Sequence, residues 1–214
     1  MRCIVIEPRA TTPGAKVARK QQMLAAAADL LEGWSYSDIT MDRIAKRAGI
    51  AKGTLYLYFR TKEALFLSLY EERLNGWYSQ MQTLADRSEG TVDAASAARV
   101  VSSSLASEPT LIYLHGLLYS TLSHNIDLET TVAFRRRQSE RISVLSRALA
   151  GRIEGLSFDR AVRFLIRLEV IVGGLSWAAQ PPSALAQALE EDDLALFRLD
   201  FEEELREIAT ALLK

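Results

Sequence analysis

Residues 40–66 read TMDRIAKRAGIAKGTLYLYFRTKEALF, and this stretch decides the fold because it places two short helices on either side of a glycine. Thr40 offers a side-chain oxygen as the N-cap of the first short helix. One face of that helix is apolar, at positions Met41, Ile44, Ala45 and Ala48. Gly49 follows as the turn residue, because a tight connection between two helices commonly needs a positive φ.

The second short helix is predicted from Ala51 to about Tyr58. Ile50, Leu55 and Phe59 can point inward from it, which leaves four residues on the opposite, exposed face: Lys52, Gly53, Tyr56 and Leu57. The major groove of DNA admits one α-helix, and this face suits it. A lysine there can donate to a guanine edge, and a glycine lets the backbone come close to the bases.

Hydroxyl groups and positive charge surround the second helix. Thr54, Tyr56 and Tyr58 bring hydroxyl donors that suit phosphate oxygens, and Lys62 adds charge at the start of the next helix. Each of these residues, taken singly, is more often a packing or surface residue. Their combination within the 23 residues from 40 to 62 favours DNA binding.

The same stretch resembles the signature of the TetR (tetracycline repressor-like) family of transcriptional regulators. The resemblance lies in the Ile-Ala pair, the Ala-Gly turn, the Gly-Thr-Leu-Tyr-x-Tyr-Phe run and the Lys-Glu-x-Leu that follows, and it covers roughly residues 16–66. It implies base contacts at Lys52 and Gly53. It implies phosphate contacts at Thr40, Thr54, Tyr56, Tyr58 and Lys62. The loop from Gly33 to Thr40 is a residue longer than the family pattern.

Charge is distributed unevenly along the chain. Residues 1–62 carry 11 Lys plus Arg against 5 Asp plus Glu, a net charge of +6. Residues 63–214 carry 15 against 22, a net charge of −7. Chance scatter of surface charge is one explanation. Together with the helix-turn-helix pattern, the asymmetry indicates that the N-terminal segment faces a polyanion, with double-stranded operator DNA as the expected partner.

Helical periodicity extends over nearly the whole sequence, and no run alternates polar and β-branched residues. The predicted fold is all-α, with an N-terminal three-helix helix-turn-helix domain, a larger helical C-terminal domain and about nine helices. The predicted domains are a flexible tail at 1–15, the DNA-binding domain at 16–62 and an effector-binding and dimerisation domain at 63–214. The longer helices are predicted at 16–31, 62–87, 92–106, 109–123, 127–149, 159–179 and 192–213, with Gly33 closing the first.

Composition narrows the class of protein. An apolar content of 49% is enough for a full globular core, and the single cysteine, Cys3, excludes an intrachain disulfide. No stretch approaches the roughly 18 apolar residues that a membrane span needs. A cytoplasmic protein without membrane contact is therefore expected.

The C-terminal domain is expected to hold a small-molecule effector. His115 lies within an apolar stripe and is either a polar group in a ligand pocket or a core histidine bonded to a backbone carbonyl. Glu169 interrupts a strongly apolar segment and pairs either with an arginine across a dimer or with a cationic ligand. The candidate ligand-binding residues are Trp77, His115, Tyr119, His124, Phe134 and Trp177.

A homodimer is expected because one helix-turn-helix contacts too little of the groove for strong specificity. The predicted helix at 159–179 is apolar on both faces, so that one face can pack on the core and the other on a second subunit, although an ordinary buried helix has the same pattern. The family resemblance implies a four-helix dimer interface. Its candidate residues are Val162, Ile166, Val170, Gly173, Phe197, Phe201, Leu205 and Ile208.

Catalytic motifs are missing from the sequence. It contains no HExxH, no GxSxG and no glycine-rich phosphate loop, and its two histidines lie nine positions apart. No enzyme activity, cofactor or metal is expected. The expected function is that of a ligand-responsive repressor that binds a palindromic operator as a dimer and is released by an effector. The alternative is a helical DNA-binding or protein-interaction factor without a small-molecule effector.

Overall fold

The computed structural model describes residues 12–87 and 89–214, and over these residues the fold is all-α, as predicted. Three short 3-10 turns, at Tyr36–Asp38, Leu122–His124 and Asp192–Phe197, and an isolated bridge between Val92 and Ile153 complete the regular structure. The ten α-helices of the described residues are α1 (Pro13–Leu31), α2 (Met41–Arg47), α3 (Lys52–Tyr58), α4 (Lys62–Arg87), α5 (Ala94–Ala106), α6 (Pro109–Ser120), α7 (Leu128–Ala150), α8 (Phe158–Ala179), α9 (Ser183–Ala188) and α10 (Phe201–Leu213).

Polar side chains determine where most of these helices begin. In seven of the helices the N-cap oxygen accepts a hydrogen bond from the backbone N–H three residues further on, which satisfies one of the free amides of the first turn. These N-cap residues are Thr12, Thr40, Thr61, Asp93, Asp127, Ser157 and Asp200.

Helix α1 begins three residues earlier than predicted. Thr12 caps it and Pro13, whose fixed φ suits a first turn, opens it. Residues 13–15 of the predicted tail are therefore helical, and residues 1–11, which include Cys3, lie outside the described residues. Gly33 follows the C-cap residue of α1 and so closes the helix at the position predicted for it, although its φ is not positive. The C-cap residue is Glu32, and positive φ angles among the described residues occur at Gly49, Gly90 and Gly155.

The chain divides into two compact units, Met1–Glu71 and Glu72–Lys214, and the division falls within α4. In the first unit, α1 packs on α2 and α2 on α3. In the second unit α8 is central, because α6, α7 and α10 all pack against it, and α10 also packs on α5. The predicted domain boundary after residue 62 stays a prediction.

The prediction of one continuous last helix over 192–213 is wrong. A 3-10 turn covers Asp192–Phe197, and α10 starts only at Phe201, where the Asp200 carboxylate caps it by accepting a 2.8 Å bond from the Glu203 amide. Arg198 donates to the backbone oxygens of Leu189 and of the next two residues, which holds the chain in a bend before α10. Preceding this bend, α9 forms a further short helix that the sequence analysis missed.

Candidate nucleic-acid interface and effector domain

Helix α2 forms as the sequence predicts. The Thr40 hydroxyl oxygen accepts a 3.3 Å bond from the Arg43 amide, which leaves its own O–H free to donate. Met41, Ile44 and Ala45 are buried on the inner face. On the outer face Asp42 and Lys46 form an exposed 2.8 Å ion pair, and the hydrogen bond from Lys46 lowers the pKa of the Asp42 carboxyl.

The turn between α2 and α3 depends on Gly49. Its φ is +66°, in the left-handed region that disfavours residues with a Cβ. The Ile50 amide donates to the Ala45 oxygen at 3.0 Å and closes the turn. From α1, the Gln22 side chain donates to the Ala48 oxygen at 2.8 Å, so that the turn is also tied to the first helix.

Helix α3 is anchored on one side and open on the other. Leu55 and Phe59 are buried, and the Lys20 ammonium lies 5.8 Å from the centroid of the Phe59 ring. Leu57 is 70% exposed on the outer side. A Cβ on Gly53 would meet no atom within 4 Å, so the backbone at this position is open to an approaching molecule.

The positions named for DNA contact have different surroundings. Four of them are exposed: Thr40, Lys52, Gly53 and Tyr56. Two more, Thr54 and Tyr58, are partly buried. All six lie on α3 or at the N-cap of α2, within the helix-turn-helix.

Lys62 has partners that the sequence analysis missed. Its ammonium donates to the Tyr36 oxygen at 2.8 Å and to the Ile39 oxygen at 3.0 Å, and lies 4.0 Å from the Tyr36 ring centroid. Burial lowers the pKa of this lysine. The Tyr36 hydroxyl in turn donates to the Glu63 carboxylate at 3.0 Å. The lysine therefore holds the 3-10 turn before α2, with one of its three N–H donors left over.

The sequence analysis also missed the stacking of Arg43 on Trp34. The Arg43 guanidinium carbon lies 3.8 Å from the centroid of the Trp34 ring, and one terminal nitrogen of Arg43 is buried without a hydrogen-bond partner among the described residues. Trp34 itself is exposed. A tryptophan shortly before a helix with an arginine in its first turn is the sequence signal that points to such a pair.

A buried polar network occupies the core of the second unit. Glu169 of α8 accepts a 2.5 Å bond from the Tyr78 hydroxyl of α4 and a 2.8 Å bond from the Gln138 amide of α7. The Gln138 oxygen in turn accepts a 2.7 Å bond from the exposed Arg135. Burial raises the pKa of the Glu169 carboxyl. Neither alternative foreseen for Glu169 included its actual partners, because they lie 91 and 31 positions away in sequence.

His115 is a core histidine bonded to a backbone carbonyl. Its Nε2 donates to the Glu169 oxygen at 2.6 Å, and burial lowers the pKa of the imidazole to about 4. The ring is therefore neutral at pH 7, with its hydrogen on Nε2, because a carbonyl oxygen only accepts. The Tyr119 ring lies 5.9 Å from the His115 ring, centroid to centroid.

The other candidate ligand residues are scattered. Trp77 is buried and donates from its indole to the Ser104 hydroxyl at 2.9 Å. Phe134 is buried with the Arg135 guanidinium carbon 5.4 Å from its ring centroid. His124 and Trp177 are exposed. Trp77, His115 and Phe134 are therefore buried in the core, whereas Tyr119, His124 and Trp177 are exposed.

The candidate dimer residues fall into two groups. Ile166, Val170 and Phe197 are exposed, and Val170 has 61% of its surface accessible. Val162 and Ile208 are partly buried. Phe201 and Leu205, by contrast, are buried within their own subunit at 6% and 0% exposure. Gly173 faces α6 of the same subunit, since a Cβ there would lie 3.2 Å from Tyr119.

The part of the chain that the structure describes contains neither a cluster of metal ligands nor a helix that could span a membrane. Within residues 12–87 and 89–214, no group of three or more acidic, histidine or cysteine side chains is arranged to hold a metal ion. None of the helices in these ranges combines the length and the apolar character that crossing a bilayer requires.

Curated relatives match about a third of the chain. A stretch of 73 residues is 41% identical to the HTH-type transcriptional regulator EthR of Mycobacterium tuberculosis, which is 34% of both chains. A stretch of 67 residues is 34% identical to the fatty acid metabolism regulator protein of Bacillus subtilis, covering 31% of this chain and 34% of that protein. The chain thus matches about a third of the length of these curated relatives.

Solved structures share the fold over nearly the whole chain. A TetR-family transcriptional regulator from Mesorhizobium loti superposes with a TM-score of 0.60 at 18% identity, covering 97% of this chain and 96% of that one. The FadR repressor of Thermus thermophilus, solved with lauroyl-CoA, gives a TM-score of 0.56 at 17% identity and covers 91% and 92% of the two chains. At such low identity these likenesses establish the fold alone.

Family models account for almost all of the described chain. The model of the bacterial regulatory proteins of the tetR family matches residues 23–69. The model of the tetracyclin repressor-like C-terminal domain matches residues 71–214, which is about two thirds of the chain. The chain therefore belongs to the tetracycline repressor-like (TetR) family.

Proposed function

We propose that the protein is a transcriptional regulator that binds a palindromic DNA operator as a homodimer and is released from it by a small-molecule effector. The observation that carries the proposal is the geometry of α3. Buried Leu55 and Phe59 fix this helix, and its outer face, with Lys52 and Gly53, is open. The model of the bacterial regulatory proteins of the tetR family matches residues 23–69, which include α3. Such a protein acts in the cytoplasm and is not an enzyme.

Docking of α3 in the major groove assigns the surrounding side chains. Lys52 and Gly53 meet base edges, with the lysine as hydrogen-bond donor. The hydroxyl groups of Thr40, Thr54, Tyr56 and Tyr58 donate to phosphates, and Lys62 contributes its remaining N–H donor. These contacts fix the pose of the helix, and the base contacts select the sequence.

The partner subunit covers the outer face of α8. Ile166 and Val170 form an exposed apolar strip there, and Phe197 is a further exposed apolar residue in the chain before α10. Apolar side chains of this size are favourable to bury against a second copy. Charge supports the same occupant, because the exposed Arg163 and Arg167 lie on α8 and exposed Glu203 and Glu207 on α10. A four-helix interface formed by α8 and α10 of two subunits brings opposite charges together.

The effector binds in the unit 72–214. Trp77, His115 and Phe134 are buried there, on α4, α6 and α7, and His115 bonds to the Glu169 backbone oxygen. The structural neighbours bind different compounds. Two FadR proteins were solved with lauroyl-CoA and stearoyl-CoA, and the multidrug binding protein EbrR was solved with imidazole. The chemical class of the effector must therefore be inferred from the residues of this chain.

Fluorescence anisotropy of the purified dimer on labelled DNA from the region upstream of its own gene tests the proposal. We expect salt-sensitive binding that resists a scrambled competitor. Lys52→Ala should relax the preference at one base position. Lys62→Ala should reduce the slope of the logarithm of the binding constant against the logarithm of the salt concentration by about 1. Lys46→Ala, an exposed lysine on the outer side of α2, is the matched control.

Equally weak binding to the upstream DNA and the scrambled DNA, followed by no enriched site in a genome-wide binding selection, would contradict the proposal. If the protein binds DNA specifically but no compound from a metabolite library weakens this binding, DNA binding is supported and release by a small-molecule effector is contradicted. A ligand can shift the DNA-binding equilibrium only through its different affinity for the two states.

A further inference from the structure

Glu169 is a buried carboxylate with neutral partners. It is 8% exposed, and its side-chain partners are the Tyr78 hydroxyl and the Gln138 amide. Among the described residues no basic side chain forms an ion pair with it. Removing a carboxylate from water is costly unless a positive charge compensates for it. The core of the unit therefore holds a carboxyl group that no cation of the described chain pairs with.

The closest positive group acts at a distance. Arg135 donates to Gln138, and Gln138 stands between the guanidinium and the Glu169 carboxylate. Attraction from Arg135 opposes the effect of burial on the pKa of Glu169, but burial is the larger influence and the pKa is raised. The chain Arg135, Gln138, Glu169, Tyr78 thus runs from an exposed side chain of α7 to the interior face of α4.

The packing of α8 restricts where a ligand can reach Glu169. On the α6 side, His115 bonds to the Glu169 backbone oxygen, and a Cβ on Gly173 would lie 3.4 Å from the His115 ring. A Cβ on Gly116 would collide with Ser176. Helices α6 and α8 are therefore in close contact, and the partners of the Glu169 side chain lie instead on α4 and α7.

We propose that the effector carries a cationic group that pairs with the Glu169 carboxylate between α4, α7 and α8. This inference rests on the proposed function and gives its effector a chemical class. The cation takes the hydrogen-bonding place of Gln138 and supplies the charge that the network lacks. Tyr78 and the neighbouring Trp77, with ring centroids 5.4 Å apart, offer aromatic surface for an organic cation.

An anionic effector such as an acyl-CoA fits this core less well. It would face repulsion from Glu169 in a medium where charges are weakly screened. Arg135, Arg136 and Arg137 are exposed on α7, where water and salt screen their attraction for phosphate groups. The buried carboxylate therefore decides the sign of the preferred charge.

Isothermal titration calorimetry of the full-length protein tests the charge preference. The probes are two organic cations of different shape, tetraphenylphosphonium and decyltrimethylammonium, each with an anion of similar size, tetraphenylborate and decyl sulfate. We expect at least one cation to bind and its anion not to bind. Glu169→Gln, which keeps the size of the side chain, should weaken that cation about tenfold or more. Glu140→Gln, at an exposed carboxylate of α7, changes the net charge equally and should leave the affinity unchanged.

A second variant keeps the test decisive if Glu169→Gln does not fold. Gln138→Lys supplies an internal cation beside Glu169 and should abolish cation binding while the thermal transition is retained. Binding of neither cation, binding of the anions instead, or a folded Glu169→Gln or Gln138→Lys with wild-type cation affinity would overturn the inference. Operator binding measured in parallel separates the two proposals. Specific DNA binding without cation binding would contradict only the cationic effector. Cation binding without specific DNA binding would contradict only the proposed function as a transcriptional regulator.

Discussion

Lys62 shows how one side chain fixes the position of a neighbouring helix. Its ammonium donates to the carbonyl oxygens of Tyr36, the first residue of the 3-10 turn, and of Ile39, which directly precedes the Thr40 cap of α2. Hydrogen bonds from a charged donor to a buried acceptor stabilise more than neutral ones. The lysine therefore contributes to the fold of the helix-turn-helix as well as to its charge.

Replacing Lys62 should lower stability. Lys62→Ala removes both charged hydrogen bonds and leaves two carbonyl oxygens to water, and we expect the free energy of unfolding to fall by about 1–3 kcal/mol. Urea unfolding followed by circular dichroism measures the loss. Lys52→Ala, an exposed lysine ten positions earlier, should stay within about 0.5 kcal/mol of wild type. Equal stability of the two variants would show that the carbonyl contacts contribute nothing.

His115 links stability to pH. Burial lowers its pKa from 6.5 to about 4, so the unfolded chain binds more protons than the folded chain between these values. This histidine therefore contributes stability that is fully present above pH 6.5 and is lost as the pH falls towards 4. The maximum size of the contribution is about 3 kcal/mol. The raised pKa of Glu169 acts in the opposite direction, because the folded state then holds a proton that the unfolded state releases.

The histidine's contribution can be isolated by substitution. His115→Gln keeps a donor near the Glu169 backbone oxygen but does not titrate. Unfolding of wild type and His115→Gln is measured between pH 7.5 and 4.5, and the difference between their stabilities should shrink as the pH falls. His124→Gln, at an exposed histidine, is the control and should follow wild type. A constant difference over the pH range would mean that His115 does not titrate with a lowered pKa.

At the scale of the element, much of the helix-turn-helix follows from local sequence. Thr40 as cap, Gly49 with positive φ and the buried Leu55 depend on neighbours a few positions away, and the sequence pattern identifies them correctly. The break before α10 is also local. Asp200 and Glu203 have the spacing of a capping box, but the apolar periodicity across residues 194–205 obscured it.

The contacts of the buried polar groups could not be predicted in this way. The partners of Lys62 lie 23 and 26 positions away, and Tyr78 lies 91 positions from Glu169. Which side chains meet across helices depends on the packing angles between them, and periodicity carries no information about those angles. The sequence therefore marked Glu169 as unusual but did not identify Tyr78 and Gln138 as its partners.

Two glycines of the helix-turn-helix should respond oppositely to the same change. Gly49→Ala forces a Cβ into the left-handed region and should cost about 1–2 kcal/mol of stability. Gly53→Ala adds a methyl group to open space in a helix and should stabilise by up to about 1 kcal/mol. If α3 enters the groove, Gly53→Ala nevertheless weakens operator binding about tenfold or more, because the methyl group separates the backbone from the base edges. Thermal unfolding and anisotropy on the same samples measure both effects. Unchanged operator affinity would place Gly53 away from the DNA.

At the scale of the whole molecule, burial decides which positions can report on assembly. Phe201 and Leu205 belong to the core formed by α10 with α5 and α8. A charge at Phe201 would unfold the subunit at a cost of about 3–5 kcal/mol and would say nothing about a partner. The exposed strip of α8 is different, because substitutions there leave the internal packing of the subunit intact.

Val170→Glu is the corresponding test of dimerisation. Val170 is 61% exposed in the subunit, so the substitution should leave the folding of the single subunit intact. At a proposed apolar interface the two-fold axis would bury the new carboxylate in both copies, and we expect dimerisation to weaken by about 3 kcal/mol or more. Sedimentation velocity over a range of concentrations measures the monomer fraction. Val100→Glu makes the same change at an exposed valine of α5 and should remain dimeric. If Val170→Glu stays dimeric while Val100→Glu dissociates, the partner subunit binds α5, and the two α3 helices must be placed on the operator from that interface instead.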